Sequence, residues 1–283
     1  MADVEIAQAS EGDIRSIARR RRFDEPGFRL ALELAERGTV WAARDAGEVV
    51  GSAIAYGSEF ERQVGDLFVE PSYRGQGVGG RLLQAAFSEA DDVARSMLLP
   101  ANDPAAQALA LRHRLTPSTS VLRFAGAIPR EDELAKMAAG DYRFEVQPLD
   151  PTAHASVLDE LDREARGAPR DAVHSELLRS GFGQVFFRDS EPVAYLYVWP
   201  DGRLGPLAAS SPAYLVQIFG YALVTLGRQC GASWCSLLVP GSNLRIGRAA
   251  LRAGLRIQRS FVFATDSPDA AMSNYLGFQK VLF

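Results

Sequence analysis

The chain is almost without lysine: of its 31 basic residues only Lys136 and Lys280 are lysines, and the rest are arginine. With a formal net charge of −4 it has no positive excess to attract nucleic acid or an anionic membrane. Cysteine is equally scarce. Cys230 and Cys235 fit no zinc or redox spacing, and two thiols cannot build a disulfide framework. Both are expected as small core residues in a reducing compartment. Histidine occurs only at 113, 154 and 174, with no metal-ligand spacing around any of them, so no metal is expected. No apolar run approaches the ~20 residues that span a bilayer. The acidic start MADVEIAQASEGD lacks the basic-then-apolar pattern of a signal peptide. These absences lead to the expectation of a cytoplasmic protein, monomeric or homodimeric, with no nucleic-acid or membrane partner.

What is present is a globular composition, 47% hydrophobic with 23% charged residues, in a chain long enough for two ordinary domains. VEIAQA alternates like a strand, and EGDIRSIARRRRF reads as a helix with a charged face. TVWAARDAGEVVGSAIAYG is a hairpin about the turn Asp45-Ala46-Gly47. QVGDLFVEP is a core strand. RGQGVGGRLLQAAF opens with glycines and continues as a helix with Val78, Leu82 and Ala86 on one face. ARSMLLP is a further buried strand, after which Asp103 and Pro104 suit the N-cap and first turn of a helix.

A polar linker with a short helix occupies 127–142, and then the order of elements begins again. VEIAQ corresponds to FEVQP, AARDAGEVVGSAIAYG to FFRDSEPVAYLYVWP, and MLLPAND to LLVPGSN. Pro100 and Pro240, like Leu115 and Leu255, lie 140 residues apart. A near-constant offset over several elements marks two copies of one unit, expected as domains at 1–126 and 143–283. Each copy is large enough to bury its own core.

Chemistry concentrates in residues 64–83, where a strand runs through a short turn into a glycine-rich loop and a helix. Gly75, Gly77, Gly79 and Gly80 leave backbone N–H groups unshielded, and the new helix aims its positive end at the same point. Arg74 adds a charge beside them. That combination binds phosphate or pyrophosphate. A Walker A loop is excluded, because no Gly-Lys-Ser/Thr begins the helix. The dinucleotide pattern G-x-G-x-x-G matches Gly75, Gly77 and Gly80, although such glycines usually follow the first strand directly. A third pattern, Arg/Gln-x-x-Gly-x-Gly/Ala, matches Arg74, Gly77 and Gly79.

At this motif the sequence resembles the GCN5-related N-acetyltransferase (GNAT) family, with LFVEPSYRGQGVGGRLL similar to its motif A and the flanking elements in its order. The resemblance implies a mixed α/β fold with two tandem GNAT-like domains, each a mostly antiparallel twisted sheet flanked by helices. It implies acetyl-CoA as co-substrate and an amine of a small molecule or peptide as acceptor. It further implies that Gly75, Gln76, Gly77, Val78, Gly79 and Gly80 hold the pyrophosphate. The backbone of Leu67, Phe68 and Val69 would pair with the pantetheine arm like an added strand, and Asn102 would contact the cofactor.

In the family a carboxylate on the strand before the cradle often serves as base. Asp66, Phe68 and Glu70 alternate onto one face here, and Asp66 is the candidate, Glu70 being placed to cap the turn. Glu59 and Glu61, in the loop leading to the strand, are candidates to attract a cationic acceptor. The acceptor pocket is expected from the helices at 11–37 and the 57–63 loop, with the second domain packing against the first and helping to shape it. The family's usual acid, a tyrosine, is missing: Ala110 holds its position, with His113 one turn along. In the second copy Ser210, Ser211, Pro212, Tyr214 and Leu215 replace the glycines, so no CoA site is expected there. His154 and His174 are expected at the surface, and Tyr195, Tyr197 and Trp199 in the core or between domains. The other function class these features allow is an acetyl-CoA-binding protein without catalysis.

Overall fold

The computed structural model describes residues 4–23, 28, 31, 32, 35, 36, 39–57, 59–88, 93–179, 181–267, 272–277 and 283. The first half runs β1 (Glu5–Gln8), α1 (Glu11–Arg21), β2 (Val40–Asp45), β3 (Glu48–Gly57), β4 (Glu61–Val69), α2 (Val78–Ala86), β5 (Ala94–Pro100), α3 (Pro104–Arg112) and β6 (Thr116–Ala127). Helix α4 (Glu131–Ala138) lies in the connecting segment. The second half runs β7 (Glu145–Pro148), α5 (Ala155–Arg166), α6 (Asp171–Leu177), β8 (Phe182–Arg188), β9 (Glu191–Val198) and β10 (Leu204–Ala209). It continues through α7 (Leu215–Arg228), β11 (Trp234–Pro240), α8 (Leu244–Arg252), β12 (Arg256–Thr265) and β13 (Tyr275–Leu276).

Local chemistry sets the ends of these elements. The Ser10 side chain and Asp13 form a reciprocal capping box at the start of α1. Arg44 on β2 binds the same Asp13, which fastens the helix to the sheet. Asp103 accepts from the Ala106 N–H at 3.0 Å and caps α3. Its counterpart 140 residues on, Asn243, caps α8 in the same way.

The strands form two sheets, ordered β1-β2-β3-β4-β5-β12-β6-β11 and β13-β10-β9-β8-β7. All the strand pairs are antiparallel except β4 with β5. The halves do not close separately, because β12 inserts between β5 and β6. Pro100 pairs with Phe261 and Pro240 with Val121, and each equivalent pair of positions is offset by 140. Val121 faces Phe261 at the centre. The repeat in the sequence thus becomes a local two-fold axis between β6 and β12. Around it lies a core drawn from both halves, Ile14, Ile17, Ile54 and Leu98 packing with Leu158, Leu161, Tyr195, Tyr197 and Tyr275. Two further cores lie mainly within one half each.

Because Phe261 is buried at this axis, Phe261→Ala should cost about 3–5 kcal/mol. Calorimetry should show both halves melting in one transition that shifts as a whole. Two separated transitions, with only one of them shifted, would contradict this description.

Candidate functional site

Strand β4 carries one extra residue, Gly65: Asp66 faces Ile54 on β3 while Val64 faces Ala55. On its other edge β4 pairs with β5 only over Glu61–Val64 against Ala94–Met97. Beyond Val64 the two strands part. The backbone of Leu67, Phe68 and Val69 therefore lines a gap, and β5 is held away from it by β12, where Leu98 pairs with Phe263. At the mouth of the gap Pro71–Tyr73 form one 3-10 turn and the chain enters α2. Gly75 and Gly77 have φ of 76° and 82°, with open space where a side chain would begin. Gly77 is the N-cap of α2 and supplies no side chain. The N–H groups of Val78, Gly79 and Gly80, in the first turn, have no intrahelical partner. Arg74 folds back so that its Nε donates to the Val69 carbonyl at 3.0 Å, and the Gln76 amide donates to the Ser72 carbonyl. Asn102 is exposed in the turn after β5. The gap, the glycine turn and the helix end thus meet at one place.

The second half offers an internal comparison. There β13 lies against β10, with Leu207 facing Leu276, and Gly277 bridges to Leu238 of β11. The segment fills the position that corresponds to the first half's gap. The Asn243 amide donates to the Tyr275 carbonyl at 3.0 Å, and Ala209 and Asn274 exchange hydrogen bonds. An extended chain thus fits this kind of slot and is held there by backbone pairing. At the loop the N–H groups of Ser210, Ala213 and Tyr214 are taken by Val193 O, Ser211 Oγ and Ser211 O. Tyr142 and Phe144 stand edge-on to Tyr214 above it.

On the other side of β4, Asp66 is buried, and both its oxygens are held by Arg21, at 3.0 Å from Nε and 2.7 Å from Nη2. Arg21 also lies over the Phe68 ring, and Arg20 reaches Glu70 at 2.5 Å. Burial would lower Arg21, but Asp66 outweighs it and keeps the guanidinium charged. A carboxylate paired at both oxygens is a weakened base. Ala110 is buried in the core beside α2, and no tyrosine stands in its place. His113 is half-buried near Gly80, and burial, with the charge of Arg95, lowers its pKa.

Three expectations need correction. Glu61 is not in a loop; it is the first residue of β4, and Arg166 from the second half holds both its oxygens at 2.6 and 2.9 Å. It is therefore not free to attract a cation. His174 is not at the surface but fully buried, between the Tyr197 hydroxyl at 2.9 Å and Asp162 at 3.1 Å. Asp162 also accepts from Tyr195 and faces Arg170, whose Nη2 donates to the Tyr275 hydroxyl. His174 looked solvent-facing in the sequence because its partners come from another helix and a distant strand. The supposed 57–63 loop, in turn, is largely strand. Of the expected pocket, positions 24–27, 29, 30, 33, 34, 37, 38 and 58 lie outside the described residues. His154 stands at the N-cap of α5 without a side-chain capping bond, and its Nδ1 accepts from the Asp150 N–H ahead of the helix. Tyr195, Tyr197 and Trp199 are buried in the shared core as expected.

Sequence reasoning passed over a row of polar residues on this face. Tyr56 on β3 faces Gln63 on β4, and Gln63 faces Ser96 on β5. The Tyr56 hydroxyl, both amide atoms of Gln63 and the Ser52 hydroxyl are buried without a hydrogen-bond partner. Each such atom costs about 1–3 kcal/mol. Burial, together with the charge of Glu61, pushes the Tyr56 hydroxyl pKa far up, against the pull of Arg170 and Arg166. The signal in the sequence was a tyrosine and a glutamine inside otherwise apolar strands.

The bulged strand, the parting of two parallel strands and the glycine turn at a helix start meet at one candidate site in a tandem α/β fold. The profile of the acetyltransferase (GNAT) domain matches residues 36–113, in the first half. A Pyrococcus horikoshii protein assigned as an acetyltransferase shares the fold at TM-score 0.73 and 16% identity, over 99% of this chain and 96% of its own. A GCN5-related N-acetyltransferase from Sphaerobacter thermophilus does so at 0.61 and 17%, over 93% and 95%. A tandem GNAT protein from the clavulanic acid biosynthesis pathway matches at 0.61 and 16%, over 93% and 98%. No curated protein matches the sequence. Among the described residues no group of His, Cys, Asp or Glu could hold a metal, and no helix is long and apolar enough to cross a membrane.

Burial alone would raise the Asp162 carboxyl, but Arg170, His174 and Arg166 outweigh it and hold it below the ordinary carboxylate range. Its contribution to stability is therefore complete above about pH 4 and lost as pH falls through its folded value. Asp162→Asn should destabilise the protein by roughly 3–5 kcal/mol at pH 7 by removing the carboxylate that faces the buried Arg170. In urea titrations from pH 7 to pH 3 the gap to wild type should narrow only below about pH 4. A gap that stays constant through that window would contradict it.

Proposed function

We propose that the first half is an N-acetyltransferase that moves acetyl from acetyl-CoA to an amine, by direct attack with both substrates bound. The observation that carries this reading is the open gap beside Leu67–Val69 leading to the bare turn at Gly75–Gly80, set against the filled gap of the second half. In the proposed mode the N–H groups of the turn and of the first turn of α2 hold the pyrophosphate. The exposed edge of Leu67–Val69 pairs with the pantetheine arm, and an N–H there polarises the thioester carbonyl. Asn102 stands at the cofactor's flank. No metal takes part.

The lone pair of a neutral amine forms the new C–N bond at the thioester carbon. The C–S bond then breaks and its electron pair stays on sulfur. The proton lost by nitrogen is collected by Asp66, with Arg21 giving up one of its two bonds, and passes to solvent. A thiol of pKa ~8.5 leaves without an acid donor, consistent with Ala110 in place of a tyrosine. The second half contributes packing and the wall of the acceptor side and takes up no CoA. A second reading, acetyl-CoA binding without turnover, is favoured by the Arg21 pair on Asp66.

Gly79→Glu is the clean test of the cradle. A Cβ at Gly79 would meet Leu109 and Val69 at ordinary distances of 3.5 and 3.6 Å, whereas Gly77→Glu adds backbone strain at positive φ. Gly79→Glu should keep its fold by circular dichroism and lose acetyl-CoA binding by about a hundredfold or more. Asp66→Asn should bind acetyl-CoA normally and release thiol at least about tenfold more slowly with an amine present. Unchanged affinity in Gly79→Glu would sink the donor site. Binding without thiol release on any amine would favour the second reading.

A further inference from the structure

Buried polar atoms without partners are rare in folded chains, because burial removes water and nothing replaces it. Here four of them gather at one place. Ser52, Tyr56 and Gln63 lie on the same face of β3 and β4, the face that carries Asp66, and Gln63 stands one residue before the strands part. Gln63 is completely buried and Tyr56 nearly so, yet neither the amide nor the hydroxyl is bonded. The Arg166 Nε, on the second half's side of the same seam, is also unbonded. Gln63 offers two donors and an acceptor, and Tyr56 one of each.

The charges nearby narrow what such a group can face. Glu61 is taken by Arg166, Asp66 by Arg21, and Asp162 by Arg170, His174 and Tyr195. Each of these carboxylates already has its countercharge. An ammonium buried here would find no countercharge, whereas a neutral amine beside a carbonyl and an N–H would be well matched. A carboxamide or peptide group pairs with the Gln63 amide through two reciprocal hydrogen bonds. An amine next to such a group is also weakly basic, with a pKa near 8 rather than the ~10.4 of an alkyl amine, so that about a quarter of it is neutral at pH 7.5, against about a thousandth of an alkyl amine.

We propose that Gln63 and Tyr56 seat the acceptor, and that the acceptor is an α-amino amide: a weakly basic amine with an amide group adjacent to it. This inference rests on the transferase reading above. The seat lies between the halves, with Tyr56 packed in the core that α5 and β9 complete. That gives the second half, which lacks a cradle, a part in choosing the acceptor.

The test uses the full-length protein with acetyl-CoA, glycinamide and n-butylamine, and the variants Gln63→Met and Tyr56→Phe. Wild type should acetylate glycinamide at least about tenfold more efficiently than n-butylamine at pH 7.5. Each variant should raise the KM for glycinamide about tenfold or more while acetyl-CoA affinity stays within about twofold. Both should melt at or above the wild-type temperature, since each removes an unbonded buried group. Residues that merely support the core, or that bind a buried water, would give unchanged KM or a lowered melting temperature, and either result overturns the proposal. Transfer to n-butylamine in preference to glycinamide overturns it while leaving the transferase reading intact. Acetyl-CoA binding with no transfer to any amine overturns both.

Discussion

The interaction on which the rest depends is the exchange of β6 and β12 across the local two-fold axis. Val121 and Phe261 meet at its centre, and on either side Pro100 and Pro240 pair with residues of the opposite half. Because β12 supplies the outer partner of β5, β5 does not need β4 along its whole length. It can leave β4 after Val64 and still keep its far edge paired. The gap proposed as the donor site in the first half is therefore supported by a strand of the second half. Buried ion pairs reinforce the same junction, with Arg166 fixing the first residue of β4 through Glu61.

Two halves built on one pattern have reached different ends. In the first, glycines leave the turn bare and the gap open. In the second, β13 occupies the gap, Asn243 binds its backbone, and the bulky Tyr214 stands at the helix N-cap where the first half has Gly77. The polar face between the halves divides in a similar way. On the second half's side Asp162, His174 and the tyrosines bond one another, although the Arg166 Nε there is unbonded, while on the first half's side the polar side-chain atoms of Gln63, Tyr56 and Ser52 all remain unbonded.

Much of this was legible in the sequence. The glycine turn before α2 could be read because glycine spacing after a strand is a local property, and the same holds for the hairpin at Ala46-Gly47 and the cap at Asp103. The repeat was legible from its constant offset. The strand exchange was not, since pairing partners of β6 and β12 are a matter of topology; TPSTSVLRFAGA, with its proline and exposed Ser and Thr, gives little alternation to read. His174 misled for a related reason. A histidine on a stretch of chain that also carries Asp162, Arg166 and Arg170 resembles a solvated residue until the strand that buries it is placed. Gln63 and Tyr56 were visible as polar residues in apolar strands, but their lack of partners exists only in three dimensions.

The central claim is that one CoA-type site exists per chain, in the first half. Calorimetric titration of the intact protein with acetyl-CoA tests it most directly. The account predicts a stoichiometry of one per chain, eliminated by Gly79→Glu. Two sites per chain, or one site that survives that substitution, would contradict it.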